Sequence, residues 1–255
     1  MVGSFKKAIR SHPSAIKHFP GPDLDSQLNA DRRKLKAGFL MIRILGISGS
    51  PVKDGNTEAL LREALRASAS DPEVETETIH LSTLEIAGCR HCNWCLKHQS
   101  AEKYCVVSDA MEGVYPELLK ADVLLLATPV HIGRMSGLMS NMIDRLRVFV
   151  YGNFHSGKLK DKIGASLVVA FLRHGGLEMT LWNLNSTFAL FQMIAVGQGG
   201  LVLTSVDGKG KITRGVRHMA LEDSFGLLSA KAVVMRALEL ARIVQTGKRA
   251  LGRES

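Results

Sequence analysis

Ile44–Thr57, ILGISGSPVKDGNT, decides the fold. An apolar run beginning at Ile42 ends in a loop of small residues, and an amphipathic stretch from Thr57 to Ala69 follows. Strand, small-residue loop and helix in that order bring backbone N–H groups to an anion at the positive end of a helix dipole. Ser48, Ser50 and Thr57 add hydroxyls and Asn56 an amide, while Lys53 supplies either a positive charge or a solvated side chain. A Walker A loop is excluded, because Gly55-Asn56-Thr57 lacks its lysine. The dinucleotide fingerprint G-x-G-x-x-G is excluded as well, since Gly46, Gly49 and Gly55 are wrongly spaced. The loop therefore reads as a seat for a phosphomonoester, with a plain strand-to-helix turn as the alternative.

Working outward, strands and helices alternate. Val74–Leu81 alternates like an edge strand, and Val123–Ala127 and Ile163–Phe171 are runs typical of strands buried on both faces. Met193–Val196 predicts a further short strand. Helices are expected from Asp109, with Glu112 as its capping-box acid, to Lys120, and after the loop Thr128–Ser136 to about Arg147. Two more are expected over Leu177–Phe191 and Ser224–Thr246. Such a chain forms a doubly wound parallel sheet covered on both faces, with ligands beyond the carboxyl ends of the strands. Loops 48–56, 86–105, 128–136 and 172–176 each follow a strand, so they should gather on that edge.

All four cysteines, Cys89, Cys92, Cys95 and Cys105, fall within 17 residues as C-x2-C-x2-C-x9-C. Three thiolates on a tight loop can converge, and a fourth can close the set. The spacing suits an iron–sulfur cube, and a soft thiolate set also suits zinc. Clustered cysteines without an apolar leader point to a reducing, cytoplasmic compartment rather than a disulfide framework. His91 and His98 flank the set, where they can hydrogen-bond sulfur rather than ligate metal. Met135, Met139 and Met142 recur at helical spacing and read as packing. No G-x-S-x-G nucleophile elbow occurs.

The chain has 255 residues, 45% hydrophobic, and a formal charge of +9. Residues 1–40 hold eight Lys/Arg against three Asp, a net +5, and carry the turn signal Pro20-Gly21-Pro22. They read as a basic extension, followed by one domain over 41–255 with a cysteine insertion at 86–108. Met41 stands directly before the first strand, so either translation starts there or the extension covers a neighbouring subunit. A net +4 over the remainder is weak for nucleic acid, and no apolar run approaches the ~18 residues of a membrane helix.

Four blocks in order, GISGSPVKDGNT, CRHCNWC…CVVSDAM, ADVLLLATPVHIGRMSGLMSNMIDRL and HGGLEMTL, resemble the NAD(P)H-dependent FMN reductases of flavodoxin-like fold. Among these, the chain is most similar to the iron–sulfur flavoproteins, with the resemblance running over about residues 41–246. It implies a five-stranded parallel sheet and an FMN phosphate held by Ser48, Ser50, Asn56 and Thr57, with Lys53 beside it. It places Pro129, Val130, His131, Ile132 and Gly133 beside the isoalloxazine; His131 stands where family members commonly carry an aromatic. Arg173, His174, Gly175 and Gly176 match a third flavin loop, with Glu178 opening the next helix. Cys89, Cys92, Cys95 and Cys105 match the ligands of a 4Fe–4S cluster, although the nine residues before Cys105 exceed the usual gap. Loop length is thermodynamically mild, each doubling costing about 0.6 kcal/mol. The resemblance further implies a homodimer or homotetramer, with ferredoxin or NAD(P)H as electron donor. A cluster-free NAD(P)H-dependent FMN or quinone reductase and a zinc-stapled phosphate-ligand module are the competing readings.

Overall fold

The computed structural model describes residues 41–252. The expected basic extension over 1–40 lies outside them. The first strand, β1 (Ile42–Ser48), is parallel to β2 (Val74–His80) on one side and to β3 (Val123–His131) on the other. β3 is parallel in turn to β5 (Ile163–Ala170). Two short strands, β6 (Ile194–Ala195) and β7 (Gly200–Leu203), share the next position. The five parallel positions run β2-β1-β3-β5-β6. A two-residue strand, β4 (Arg134–Met135), folds back antiparallel on β3 and extends the expected 128–136 loop into a hairpin.

Successive side chains of a strand point to opposite faces, so each central strand feeds two cores. Leu45 and Ile47 of β1, Leu124 and Leu126 of β3, and Val168 and Ala170 of β5 enter one. There they meet α2 (Met111–Lys120), α3 (Gly137–Arg145) and α4 (Leu177–Leu190). Ile42, Ile44, Val123, Leu125, Ile163 and Ala165 enter the other, against α1 (Asn56–Leu65) and α5 (Ser224–Ala250). β2, exposed along most of its length, forms the edge.

Two local expectations differ. β7 is a strand where only β6 is expected, and Gly200 within it is required by packing. A Cβ there would stand 2.8 Å from the Ala230 Cα of α5. The capping box at α2 also does not form. Asp109 accepts from the Met111 N–H at 3.0 Å, yet Glu112 turns outward to the Lys103 ammonium at 2.5 Å instead of reaching back. The Asp109 carboxylate has a second partner in Arg145.

Candidate functional site

The parallel strands bring their carboxyl ends to one edge, and three loops meet there. The first carries Ser48, Gly49 and Ser50 off β1 into α1. Gly55, the residue before that helix, is extended, and no side chain caps the helix N-terminus. Its first N–H groups are therefore available to an anion, with the Thr57 side chain buried beside them. The other expected phosphate residues divide. Ser48 and Ser50 are buried and shape the loop: the Ser50 N–H donates to Ser48 Oγ at 3.4 Å and the Val52 N–H to Ser50 Oγ at 3.1 Å. Asn56 Oδ1 accepts from the Ala220 N–H at 2.8 Å, pinning a distant turn to the loop. Lys53 is exposed.

Asp54 anchors the same turn, with its carboxylate 2.7 Å from Arg217 and its carbonyl 2.9 Å from His218 Nε2. The Arg62 hydrogen bond holds its carboxyl below the ordinary range, against a rise from burial.

The second loop is the β3–β4 hairpin. Ile132 (φ 50°) and Gly133 (φ 74°) form its two-residue turn, both left-handed as a type I′ turn requires. Glycine suits that position; a β-branched residue does not, and Ile132 is held there with its side chain fully exposed. Pro129 and Val130 are half-buried, and His131 is exposed. Ser136, unmarked as a site residue by the sequence, closes the hairpin onto the first loop. Its hydroxyl donates to the Gly49 carbonyl at 2.5 Å and accepts from Met139 N–H at 3.1 Å. Gly49 fits only as glycine: a Cβ would lie 2.7 Å from Met139 Cβ.

The third loop leaves β5. Gly176 (φ 100°) brings it against the hairpin, where a Cβ would be 2.8 Å from Gly133 Cα. Gly175 lies just before it, and His174 is exposed. Arg173 is committed elsewhere, its guanidinium donating to the Asp207 carbonyl at 3.0 Å. Hence Gly49, Ser136, Gly133 and Gly176 join the three loops into one rim.

The cysteine loop follows β2 at the same edge. All four thiols are free, with Cys95 buried, Cys89 and Cys105 half-buried and Cys92 exposed. They line one small cavity together with Arg145 and Arg147. Among the described residues, no group of three or more His, Cys, Asp or Glu side chains is placed to hold a metal ion. Burial pushes the Cys95 thiol up; Arg147 pulls the other way, while Cys105 and Cys89 add to the rise.

The loop is seated by side chains far away in sequence. Gln99 Nε2 donates to the carbonyls of Tyr104 (3.0 Å) and Val148 (3.3 Å), and its Oε1 accepts from the N–H groups of Phe154 and His155, each at 3.1 Å. The Asn153 N–H reaches the Cys95 carbonyl at 3.1 Å. His155 stacks on Tyr104 with ring centroids 4.1 Å apart, and its Nε2 meets the Ser100 carbonyl at 2.7 Å.

Arg145, 1% exposed, ties the loop to α3. It donates to Asp109 at 2.5 Å and to the carbonyls of Ala87 at 2.9 Å and Val107 at 3.3 Å. Burial works to raise the Asp109 carboxyl, but hydrogen bonds from Arg145 and the backbone prevail and hold it low. Arg145 follows Met142 by three positions on the apolar face of α3, and that placement is the signal sequence reading can use.

Residues 42–207 match the model of the family described as NADPH-dependent FMN reductase. The chain belongs to this family. It is a flavin-dependent oxidoreductase of flavodoxin-like fold, and FMN is the cofactor the family implies. It is similar to an iron-sulfur flavoprotein of Methanocaldococcus jannaschii, 30% identical over 205 residues, covering 80% of this chain and 100% of that protein. An iron-sulfur flavoprotein of Methanosarcina thermophila is 30% identical over 207 residues, covering 81% of this chain and 99% of the relative. Among solved structures, RosB with bound 8-demethyl-8-formylriboflavin-5′-phosphate superposes with a TM-score of 0.64 at 14% identity, covering 80% of this chain and 81% of that one. No described helix is long and apolar enough to cross a membrane.

Proposed function

We propose that this FMN oxidoreductase carries a 4Fe–4S cluster on Cys89, Cys92, Cys95 and Cys105 and links paired-electron flavin chemistry to single-electron transfer. The observation that carries the reading is the shared cavity: four free cysteines line it at the sheet edge where the phosphate loop opens. A single zinc ion would draw all four sulfurs to one point, whereas a cube spreads them over four irons. The similarity to iron-sulfur flavoproteins over most of their length supports the cube.

When bound, the flavin supplies hydride or single-electron exchange and the cluster single-electron exchange. The chain's own residues position and insulate. The uncapped start of α1, with Thr57 and the Asn56 amide, receives the FMN phosphate, while Ser48 and Ser50 hold the loop in shape. Pro129–Gly133 and His174–Gly176 border the isoalloxazine. Arg173, beside His174, ties the turn at Asp207 to this edge through its guanidinium. Exposed Met179 and Trp182 on α4, just beyond Gly176, suit a homodimer or homotetramer contact. The electron donor is ferredoxin or NAD(P)H, in a cytoplasmic setting.

Anaerobic purification with flavin, iron, acid-labile sulfide and zinc assays tests this. FMN with about four irons and four sulfides per chain is expected. Flavin without iron or sulfide after reconstitution gives the cluster-free NAD(P)H reductase, and zinc without flavin gives the phosphate-ligand module. Stopped-flow mixing with NAD(P)H or reduced ferredoxin identifies the donor.

A further inference from the structure

We infer that Arg147 raises the reduction potential of the centre held by the four cysteines; this rests on the cluster reading above. Arg145 and Arg147 both line the cysteine cavity, and each has a buried Nε without a hydrogen-bond partner. A buried N–H left without an acceptor costs about 1–3 kcal/mol, so two such donors on one cavity wall are unusual unless an acceptor belongs there. Thiolate and sulfide sulfurs are acceptors of the required kind.

Electrostatics separates the two arginines. The charge of Arg145 is cancelled close by, in its ion pair with Asp109. The tip of Arg147 meets His91 Nε2 at 3.1 Å, Asn93 Oδ1 at 2.7 Å and the Tyr151 ring at 4.7 Å, with no carboxylate among them, and the guanidinium also acts on the Cys95 thiol. As Arg147 is the donor, His91 Nε2 accepts and its proton resides on Nδ1. His91 (φ 52°) and Asn93 (φ 61°) are left-handed, and these turns aim both side chains from the ligand segment at one guanidinium. Arg147 thus clamps the loop between Cys89 and Cys95 and leaves its positive charge uncompensated beside the thiolates. Reduction adds one negative charge to the centre. A fixed cation and N–H···S bonds stabilise that form more than the oxidised one.

The test is a potentiometric titration of the anaerobically reconstituted full-length protein, following the cluster by EPR and the flavin by absorbance. Arg147→Met removes the charge. Asn93→Asp leaves Arg147 in place and neutralises it, and aspartate tolerates a left-handed backbone. In both variants the reduced cluster is expected to become at least tenfold less favoured, which is a fall of about 59 mV for a one-electron couple. The flavin potential should stay at the wild-type value. Full iron content with an unchanged cluster potential overturns the assignment. If Arg147→Met fails to retain iron, Asn93→Asp decides by the same criterion. A wild-type protein that takes up no iron and sulfide overturns the cluster reading and this inference together, and the metal assay shows that before any potential is measured.

Discussion

The phosphate loop and the cysteine loop leave the same sheet edge but are built by opposite means. The phosphate loop is seven residues of chain between β1 and α1; two serines shape it from within, and Ser136, His218 and Ala220 each attach another segment to it or its edge. The cysteine loop spans about thirty residues between β2 and α2 without a strand. Its shape comes from Gln99, Arg145, Arg147 and Asn153, with partners as many as 58 positions away. Short-range bonds shape the turn of the first site, whereas the second has little internal scaffold and is held mainly from outside. One should tolerate damage to the other.

The sharpest way to break that contrast is a reciprocal pair of substitutions. Cys95→Ser is expected to reduce iron and sulfide to background and leave one FMN per chain. Thr57→Asp sets a carboxylate at the start of α1, where it suits the helix dipole but repels a phosphate. FMN affinity should fall by about 100-fold or more, from two like charges a few ångströms apart, with iron content unchanged. Loss of both cofactors in either variant would show the two loops to be one cooperative unit.

Next in size is Arg145→Met. It strands a largely buried carboxylate and two loop carbonyls, and equilibrium denaturation should show a loss of about 3–5 kcal/mol. A change below 1 kcal/mol would mean that the cysteine loop stands without its remote anchor.

Acid separates the loops further. Burial lowers the pKa of His155, whose Nδ1 is buried without a partner, so the folded state resists protonation there. The folded state then binds fewer protons than the unfolded chain. Stability is complete above the ordinary imidazole value of about 6.5 and declines as the pH falls below it. Asp109, held low, adds a second decline at more acid pH, complete only once its depressed folded pKa is passed. His155→Gln should flatten the first decline in a pH series of urea midpoints and leave the second. The smallest effect belongs to the flavin edge: Ile132→Asn relieves the left-handed strain at the hairpin tip. It should raise stability by about 1 kcal/mol, read as a higher urea midpoint.

The same contrast explains what sequence could disclose. The strand-loop-helix over 42–65 was legible because apolar run, small residues and amphipathic stretch are contiguous. The four cysteines were legible as a set by spacing alone. Their seat is legible only in part: Arg145 falls on the apolar face of α3, which marks it as buried, but nothing local names its partners, and a glutamine reaching about fifty residues leaves no periodic signal. Asp109 illustrates the limit: local rules read it as the cap, but Ala110 stands at the cap position, and the Asp109 carboxylate, besides accepting from the Met111 N–H, pairs with Arg145, 36 positions on. Asn56 and Arg173 sit in matching motifs, yet each has a partner in a later segment, Ala220 and Asp207, that only the fold reveals.

The Gln99 clasp has a consequence for biosynthesis. The remote groups that fix the cysteine segment, Arg145, Arg147, Val148, Asn153 and His155, are translated some forty or more residues after the last cysteine, Cys105. While those residues are still inside the ribosome, the four thiols are displayed on an unseated chain. On the proposed cluster reading, a truncation before residue 155 is expected to yield a polypeptide with all four thiols and no seat for them.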